Sequence, residues 1–242
     1  MRKHKKHIII AAVVIVLITA AWFYRYYIFD GEYKEAIAPE TVEYIYEDEA
    51  DSNVLKEYRN KKDWELIVVN NDNPIPEGYK VILTRLDNGQ AVDCRIYPQL
   101  QKMFDDAREQ NIYPTITSSF RTVEEQYDML ADKYKEYKSQ GYSDKKAKVL
   151  AENWVALPGT SEHELGLAVD IGSGDGSVTD KEVWEWLDEN SYKYGFILRY
   201  TEEKQDITGI IPEEWHFRYA GLKAAEEMYN NNQCLEEYCS AD

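Results

Sequence analysis

The sequence predicts an α+β fold with a central, largely antiparallel sheet flanked by helices, preceded by one N-terminal transmembrane helix. Hydrophobic residues make up 44% and aromatic residues 13% of the 242 residues, which is enough for one core of ordinary size. Strand-like and helix-like segments follow one another in mixed order without a regular βαβ alternation, and this order favours the α+β class. One long apolar run near the N-terminus predicts the transmembrane helix.

The apolar run extends from Ile8 to Tyr24 and follows a short basic segment. A membrane span needs roughly 17–25 apolar residues, so the run lies at the short end of that range. Basic residues before the run and acidic residues after it predict a single-pass protein of the cell membrane, with a cytoplasmic N-terminus and an extracellular domain. The alternative is a cleaved signal peptide with a passable cleavage site at residues 19–21, although the run is rather long for such a peptide.

Charge and apolar periodicity divide the rest of the chain. Residues 1–29 are predicted to be the cytoplasmic basic tip and anchor, residues 30–62 an acidic extracellular spacer, residues 63–232 the folded domain and residues 233–242 a C-terminal tail. The spacer is predicted because acidic residues dominate it, Lys34 is the one base between residues 30 and 53, and its apolar residues show no clear period.

The formal net charge of −17 argues against binding to nucleic acid or adhesion to an anionic lipid surface. The three cysteines are an odd number, so they cannot all pair within the chain. In an exported domain, one disulfide from Cys94 to either Cys234 or Cys239 is possible, and free thiols are the alternative.

Within the domain, apolar runs bounded by Gly, Pro and Asn predict strands, and a 3.6-residue apolar period predicts helices. Strands are predicted at residues 64–70, 79–86, 91–97, 113–119, 195–200, 207–211 and 216–219. Helices are predicted from Pro98, at residues 122–153 with a break at Gly141, and from Asp180 to Leu187. Thr122 followed by Glu125 is typical of a capping box.

Three residues could hold a catalytic zinc ion, which takes three protein ligands from imidazole nitrogens and carboxylate oxygens. His163, Asp170 and His216 would supply that set, and Glu213, three residues before His216, could act as a general base. Each feature alone also fits a structural histidine or a chance carboxylate, since the chain has 45 acids. The metal interpretation is favoured because two of the four histidines lie at the N-terminus and both others lie in these segments.

These segments resemble a known family. SEHELGLAVD, residues 161–170, resembles the Ser-x-His-x-x-Gly-x-Ala-x-Asp motif of the zinc D,D-carboxypeptidases and D,D-dipeptidases of the VanY and VanX type. EEWH, ending at His216, is similar to their Glu-x-x-His motif, and TSSFRT corresponds to the segment that carries their catalytic arginine. The resemblance extends from about Trp64 to Tyr219 and implies a hedgehog/DD-peptidase-like fold.

The resemblance also implies a role for each matching position. It makes His163, Asp170 and His216 the ligands of one Zn²⁺ ion, and it makes Glu213 the general base in preference to the adjacent Glu214. It makes Arg121 the residue that stabilises the oxyanion of the attacked carbonyl. Residues placed near the substrate are Gln126, Ser161 and Ser118. Phe120 stands where the family often has tyrosine, and we interpret it as a packing residue.

The function that the resemblance implies is removal of the C-terminal D-Ala from peptidoglycan stem pentapeptides ending in D-Ala-D-Ala, with an accessory role in glycopeptide resistance. The anchor agrees with this substrate, because wall precursors are met outside the membrane whereas free D-Ala-D-Ala is made in the cytoplasm. An L,D-carboxypeptidase acting on tetrapeptide stems is one alternative. A non-catalytic, zinc-containing wall-binding module is another.

Overall fold

A computed structural model describes residues 42–240 of the chain. Within them the strands are β1 (Glu43–Tyr46), β2 (Lys80–Arg85), β3 (Ala91–Asp93), β4 (Pro114–Ser118), β5 (Ala168–Ser173), β6 (Phe196–Tyr200) and β7 (Glu213–Tyr219). The α-helices are α1 (Ser52–Asn60), α2 (Tyr97–Glu109), α3 (Val123–Ser139), α4 (Asp144–Glu152), α5 (Asp180–Asn190), α6 (Gln205–Thr208), α7 (Leu222–Asn231) and α8 (Leu235–Ser240). Short 3₁₀ helices span Glu162–Leu165, Ser191–Tyr194 and Glu202–Lys204. The predicted α+β class is confirmed.

The central sheet has the strand order β4-β5-β7-β6, and each neighbouring pair is antiparallel, as predicted. Val169 and Ile171 of β5 and Phe217 of β7 are buried in the main core, which also contains apolar residues of α2 and α5. Because successive side chains of a strand point to opposite faces, Asp170 and His216 project from the other face of the sheet. One face of the sheet therefore forms the core, and the opposite face carries the candidate functional residues.

The predicted helices begin and end close to the expected positions. The apolar stripe of α2 is buried, and its members are Leu100, Met103, Phe104 and Ala107. Thr122 and Glu125 form the predicted capping box at the start of α3. The chain reverses between α3 and α4 at Gly141, whose φ of 91° is a left-handed conformation that glycine adopts at little cost.

The first three strands form a smaller sheet of order β1-β2-β3, in which β2 and β3 are antiparallel as predicted. The N-terminal strand was not predicted: β1 pairs in parallel with β2, and α1 follows it. Residues 43–60, assigned from sequence to the spacer of residues 30–62, are thus part of the folded unit. Their acidic side chains do not simply repel one another, because Glu43 pairs with Lys80 at 2.5 Å and Asp48 with Arg85 at 2.7 Å.

Two predicted strands are wrong. Residues 64–70 form no strand although Trp64 and Val69 are buried, because the segment packs against the core as irregular chain and Arg218 of β7 donates a side-chain hydrogen bond to the Ile67 carbonyl. Residues 207–211 also form no strand, because α6 occupies their first half and ends at Gly209 with a φ of 72°.

Residues 233–240 are folded as well, although the sequence suggested a tail at residues 233–242. Helix α8 buries Leu235 completely. Glu236 on the same helix accepts two hydrogen bonds from Arg199 of β6, at 2.6 and 2.8 Å. The buried Leu235 and the Arg199–Glu236 ion pair therefore attach the C-terminal helix to the folded domain.

The predicted anchor at residues 8–24 lies outside the described residues. Among residues 42–240, no helix is long and apolar enough to cross a membrane. No disulfide joins Cys94, Cys234 and Cys239, all of which the structure describes.

Candidate metal centre and active site

Two of the candidate ligands face each other across the middle of the central sheet. Asp170 of β5 is the register partner of His216 of β7. Directly opposed residues of antiparallel strands have Cβ atoms about 4.5–5.5 Å apart, so their side chains meet on the same face. The strand register therefore brings together residues that are far apart in sequence.

The third ligand, His163, comes from the 3₁₀ helix that immediately precedes β5. Ser161 begins this helix by accepting a hydrogen bond from the His163 backbone N–H at 3.3 Å. Gly166 ends it with a φ of 71°, and a Cβ atom there would lie 3.1 Å from the Asp93 nitrogen. A glycine is thus required for the chain to turn back from His163 into β5.

The three side chains converge with the spacing of ligands around one metal ion. His163 Nε2 lies 3.4 Å and His216 Nδ1 lies 3.3 Å from Asp170 Oδ1. In a tetrahedral site with bonds of about 2.0–2.1 Å, neighbouring ligand atoms are about 3.3 Å apart. Asp170 Oδ1 is buried and has no hydrogen-bond partner within the part of the chain that the structure describes. The donor set and this unpartnered oxygen fit a divalent metal ion such as zinc.

The two histidines offer different ring nitrogens. His163 Nδ1 lies 2.7 Å from the backbone carbonyl of Ser119, so a proton on Nδ1 leaves Nε2 available as a ligand. His216 instead turns Nδ1 toward Asp170, and its Nε2 faces Glu162 at 3.5 Å. The two histidines thus turn different ring nitrogens, Nε2 of His163 and Nδ1 of His216, toward Asp170.

The electrostatics of the site also suit a cation. Burial lowers the pKa of His163, and the neighbouring Arg121 lowers it further, which favours the neutral form that binds metals. Burial alone would raise the pKa of Asp170, but the two histidines hold it well below its usual range. Burial alone would lower the pKa of His216, but the carboxylates of Asp170, Glu162 and Glu213 around the ring raise it well above its usual value. Neutral His163 and ionised Asp170 are the forms in which these side chains bind a metal ion.

Glu213 is directed to the same site by an irregularity in β7. The pairing of β6 with β7 passes from Leu198–Phe217 to Tyr200–Glu213, so β7 contains additional residues at this point. Such a bulge changes the direction of side chains, and it allows Glu213 Oε2 to lie 3.4 Å from His216 Nδ1. The adjacent Glu214 is exposed. The structure therefore places Glu213, rather than Glu214, beside the predicted ligands.

Arg121 follows β4 and is fixed by three side chains. Its Nη2 donates to Asp170 Oδ2 at 2.9 Å, its Nε donates to Ser118 at 2.9 Å and its Nη1 donates to Gln126 at 3.2 Å. A guanidinium group has five N–H donors, so two remain that no described residue accepts. Arg121 is thus a held cation with free donors beside the metal ligands.

The three residues predicted to bind substrate have structural partners. Gln126 bridges Arg121 and the Ala156 carbonyl, and Ser118 accepts from Arg121. Ser161 accepts from the His163 backbone. Gln126 and Ser161 also line the cavity described below, and the substrate-binding role of all three stays a prediction.

Sequence reasoning missed a buried charged cluster behind the site. Glu162, inside the motif segment, pairs with Arg199 of β6 at 2.7 Å, and both side chains are fully buried. A possible signal was Arg199 itself, because it is a charged residue within an otherwise apolar predicted strand.

A cavity of about 560 Å³ opens over the three candidate metal ligands. On one side it is lined by the candidate ligands with Arg121 and Glu213, and on the other by α3 residues and two tryptophans, Trp154 and Trp215. The two indole rings stack with centroids 6.3 Å apart. The volume lies within the roughly 300–1,000 Å³ typical of small-molecule sites.

Known proteins are similar to this chain in sequence and in fold. The family model described as VanY: D-alanyl-D-alanine carboxypeptidase matches residues 89–222, more than half of the chain. The D-alanyl-D-alanine carboxypeptidase of Enterococcus faecalis is 50% identical over 187 residues, covering 77% of this chain and 70% of that relative.

Two solved structures are similar over nearly their whole length. One is VanYB in complex with D-alanine-D-alanine, with a TM-score of 0.73 and 50% identity over 74% of this chain and 99% of that one. The other is a mutant of the vancomycin resistance D,D-pentapeptidase VanY from a VanB-type cassette in complex with Zn(II), with a TM-score of 0.72 and 51% identity over 73% of this chain and 99% of that one. The chain belongs to the VanY family of D-alanyl-D-alanine carboxypeptidases.

Proposed function

We propose that the protein is a membrane-anchored zinc carboxypeptidase that removes the terminal D-Ala from stem pentapeptides ending in D-Ala-D-Ala. The observation that carries the proposal is the convergence of His163, Asp170 and His216 with two further residues suited to hydrolysis, Glu213 and Arg121. A wall-binding module would need the metal ligands but neither of the other two residues.

In this proposal, the two histidines and Asp170 would hold zinc, which would supply Lewis-acid chemistry for the scissile carbonyl and for a water nucleophile at neutral pH. Glu213 takes a proton from the attacking water and donates it to the nitrogen of the departing D-Ala. Arg121 directs its free N–H donors at the oxygen on which negative charge develops. Ser118 and Gln126 keep the guanidinium group in place during the reaction.

The predicted anchor and the size of the cavity support a wall-bound substrate over a free dipeptide. An extracellular domain meets stem peptides, and a cavity of about 560 Å³ has room for more than two alanyl residues. One of the two similar solved structures is of a vancomycin resistance D,D-pentapeptidase, which agrees with a pentapeptide substrate, and the other contains D-alanine-D-alanine, the terminal pair of such a stem. Removal of D-Ala-D-Ala termini would give the protein an accessory role in glycopeptide resistance.

Chelation is expected to abolish activity reversibly. We would incubate the purified full-length protein with diacetyl-L-Lys-D-Ala-D-Ala and follow release of D-Ala before chelation, after chelation and after zinc is returned. Release should stop with the chelator and resume with zinc, because the proposed site depends on the metal. Release that continues in the chelated, metal-free protein would refute the zinc mechanism. Zinc-bound protein that releases D-Ala from neither this peptide nor a tetrapeptide stem would favour the wall-binding module, and release from the tetrapeptide alone would favour the L,D-carboxypeptidase.

The tryptophan side of the cavity should contact the substrate upstream of the scissile bond. Trp154 is 39% exposed and stacks on Trp215, and Lys133 lies with its Nζ 4.6 Å from the Trp154 ring centroid. Loss of an aromatic contact costs about 0.5–1.5 kcal/mol, so Trp154→Ala should raise KM for a stem pentapeptide about 2–10-fold with little change in kcat. Tyr142→Ala is a matched control, because Tyr142 is 41% exposed but lies outside the cavity lining. Equal KM values for Trp154→Ala and its parent would contradict an upstream contact.

A further inference from the structure

Glu162 is a buried carboxylate for which the reaction described above has no role. It lies on the 3₁₀ helix beside His163, and its side chain is fully buried. Its Oε2 faces His216 Nε2 at 3.5 Å. Both atoms are buried, and neither has a closer hydrogen-bond partner among residues 42–240. Each of these two polar atoms is therefore the natural partner of the other.

Two arginines face the other carboxylate oxygen of Glu162, and Arg199 is hydrogen-bonded to it. Arg199 Nε lies 2.7 Å from Glu162 Oε1, and Arg218 Nε lies 3.7 Å from the same oxygen. Arg199 is itself held by Glu236 of α8 through two hydrogen bonds. Because Oε1 is engaged in this way, Oε2 is the oxygen left to face the histidine.

The geometry also separates the two nitrogens of His216. Nδ1 lies 3.3 Å from Asp170 Oδ1, where the metal ligands converge, and Nε2 points into the protein toward Glu162. A ligating histidine usually donates its other N–H to a carboxylate, a carbonyl or water, and this bond fixes both the tautomer and the ring orientation. For His163 the backbone carbonyl of Ser119 has that role. In the described part of the chain, no backbone carbonyl accepts a hydrogen bond from His216 Nε2.

We propose that Glu162 is the positioning residue of His216: its Oε2 accepts a hydrogen bond from Nε2–H, and this bond directs Nδ1 toward the metal. Arg199 holds Glu162 in place through Oε1. The inference rests on the zinc site of the proposed function. Glu162 would thus act on metal binding through His216 and would not contact the substrate.

Zinc affinity tests the proposal without any measurement of turnover. We would determine the zinc dissociation constant of the full-length protein by competition with a chromophoric chelator. Glu162→Gln is expected to raise that constant about 10–100-fold, the usual cost of losing an outer-shell partner. Glu164→Gln is the matched control: Glu164 is also buried on this 3₁₀ helix, but it accepts from the Gly159 and Ser161 backbone. Its effect should remain below about 10-fold.

A second variant, Glu162→Asp, separates an effect on zinc binding from a loss of folding. Glu162→Gln removes the charge that Arg199 and Arg218 face and could unfold the protein, whereas Glu162→Asp retains the charge and withdraws the carboxylate from His216. Weaker zinc binding by a folded Glu162→Asp protein, checked by circular dichroism, is the expected result. Parent-like zinc affinity in that protein would overturn the proposal. A parent protein that binds no zinc would instead defeat the proposed function, so the two failures are distinguishable.

Discussion

Glu213→Gln is expected to retain stoichiometric zinc and to lower kcat about 10²–10⁴-fold, the usual contribution of general acid–base catalysis. The amide has nearly the shape of the carboxyl group but cannot take a proton from water. Because Glu213 Oε2 lies 3.4 Å from His216 Nδ1, the side chain is close enough to act beside the metal. Steady-state kinetics on a stem peptide, together with metal analysis of the same sample, would measure both quantities.

Glu214→Gln is the matched control for this experiment. Glu214 is the adjacent acid on β7 but is exposed, so its substitution should leave both kcat and zinc content close to those of the parent. Loss of zinc from Glu213→Gln would make Glu213 a ligand rather than a base. Loss of turnover in Glu214→Gln alone would exchange the roles of the two acids.

Arg121→Ala is expected to lower kcat about 10²–10³-fold at saturating zinc, as removal of an oxyanion-stabilising donor does in other hydrolases. The guanidinium group is held by Ser118, Gln126 and Asp170, and its remaining donors are the ones available to a developing oxyanion. Arg121→Lys should recover only part of the activity, because a single ammonium group cannot reproduce the planar fork. Kinetics over a range of substrate concentrations would separate kcat from KM.

Arg108→Ala provides a control for the loss of one positive charge. Arg108 lies on α2, where it pairs with Asp105 on the surface, and its substitution should leave the kinetics unchanged. An Arg121→Ala protein with unchanged kcat and a raised KM would reassign Arg121 to ground-state binding of the substrate.

Much of the fold and of the site could be predicted from local patterns in the sequence. The apolar stripe of α2 and the Thr122 capping box are signals within a few residues, and they predicted helix positions well. The motif around His163 and Asp170, with Glu213 and His216, similarly named side chains that the structure brings together. These features could be predicted because each helix stripe, cap or motif segment involves residues only a few positions apart in sequence.

Features that depend on pairing between distant segments could not be predicted in this way. The register that places Asp170 opposite His216 and the bulge that turns Glu213 toward them are properties of two or three strands together. Arg199 and Glu162 are each improbable as buried residues, and their burial becomes understandable only as a pair. The missed ion pairs of residues 43–49 have the same origin, since their partners Lys80 and Arg85 belong to β2.

The parallel strand β1 has a consequence for any shortened form of this protein. Its Tyr44 ring packs against Phe120 with centroids 5.1 Å apart, and Phe120 is the residue immediately before Arg121. A version beginning at residue 63 would expose the backbone edge of β2 and uncover Phe120 together. An open strand edge next to an apolar ring favours pairing between molecules, so such a version would be prone to self-association close to Arg121.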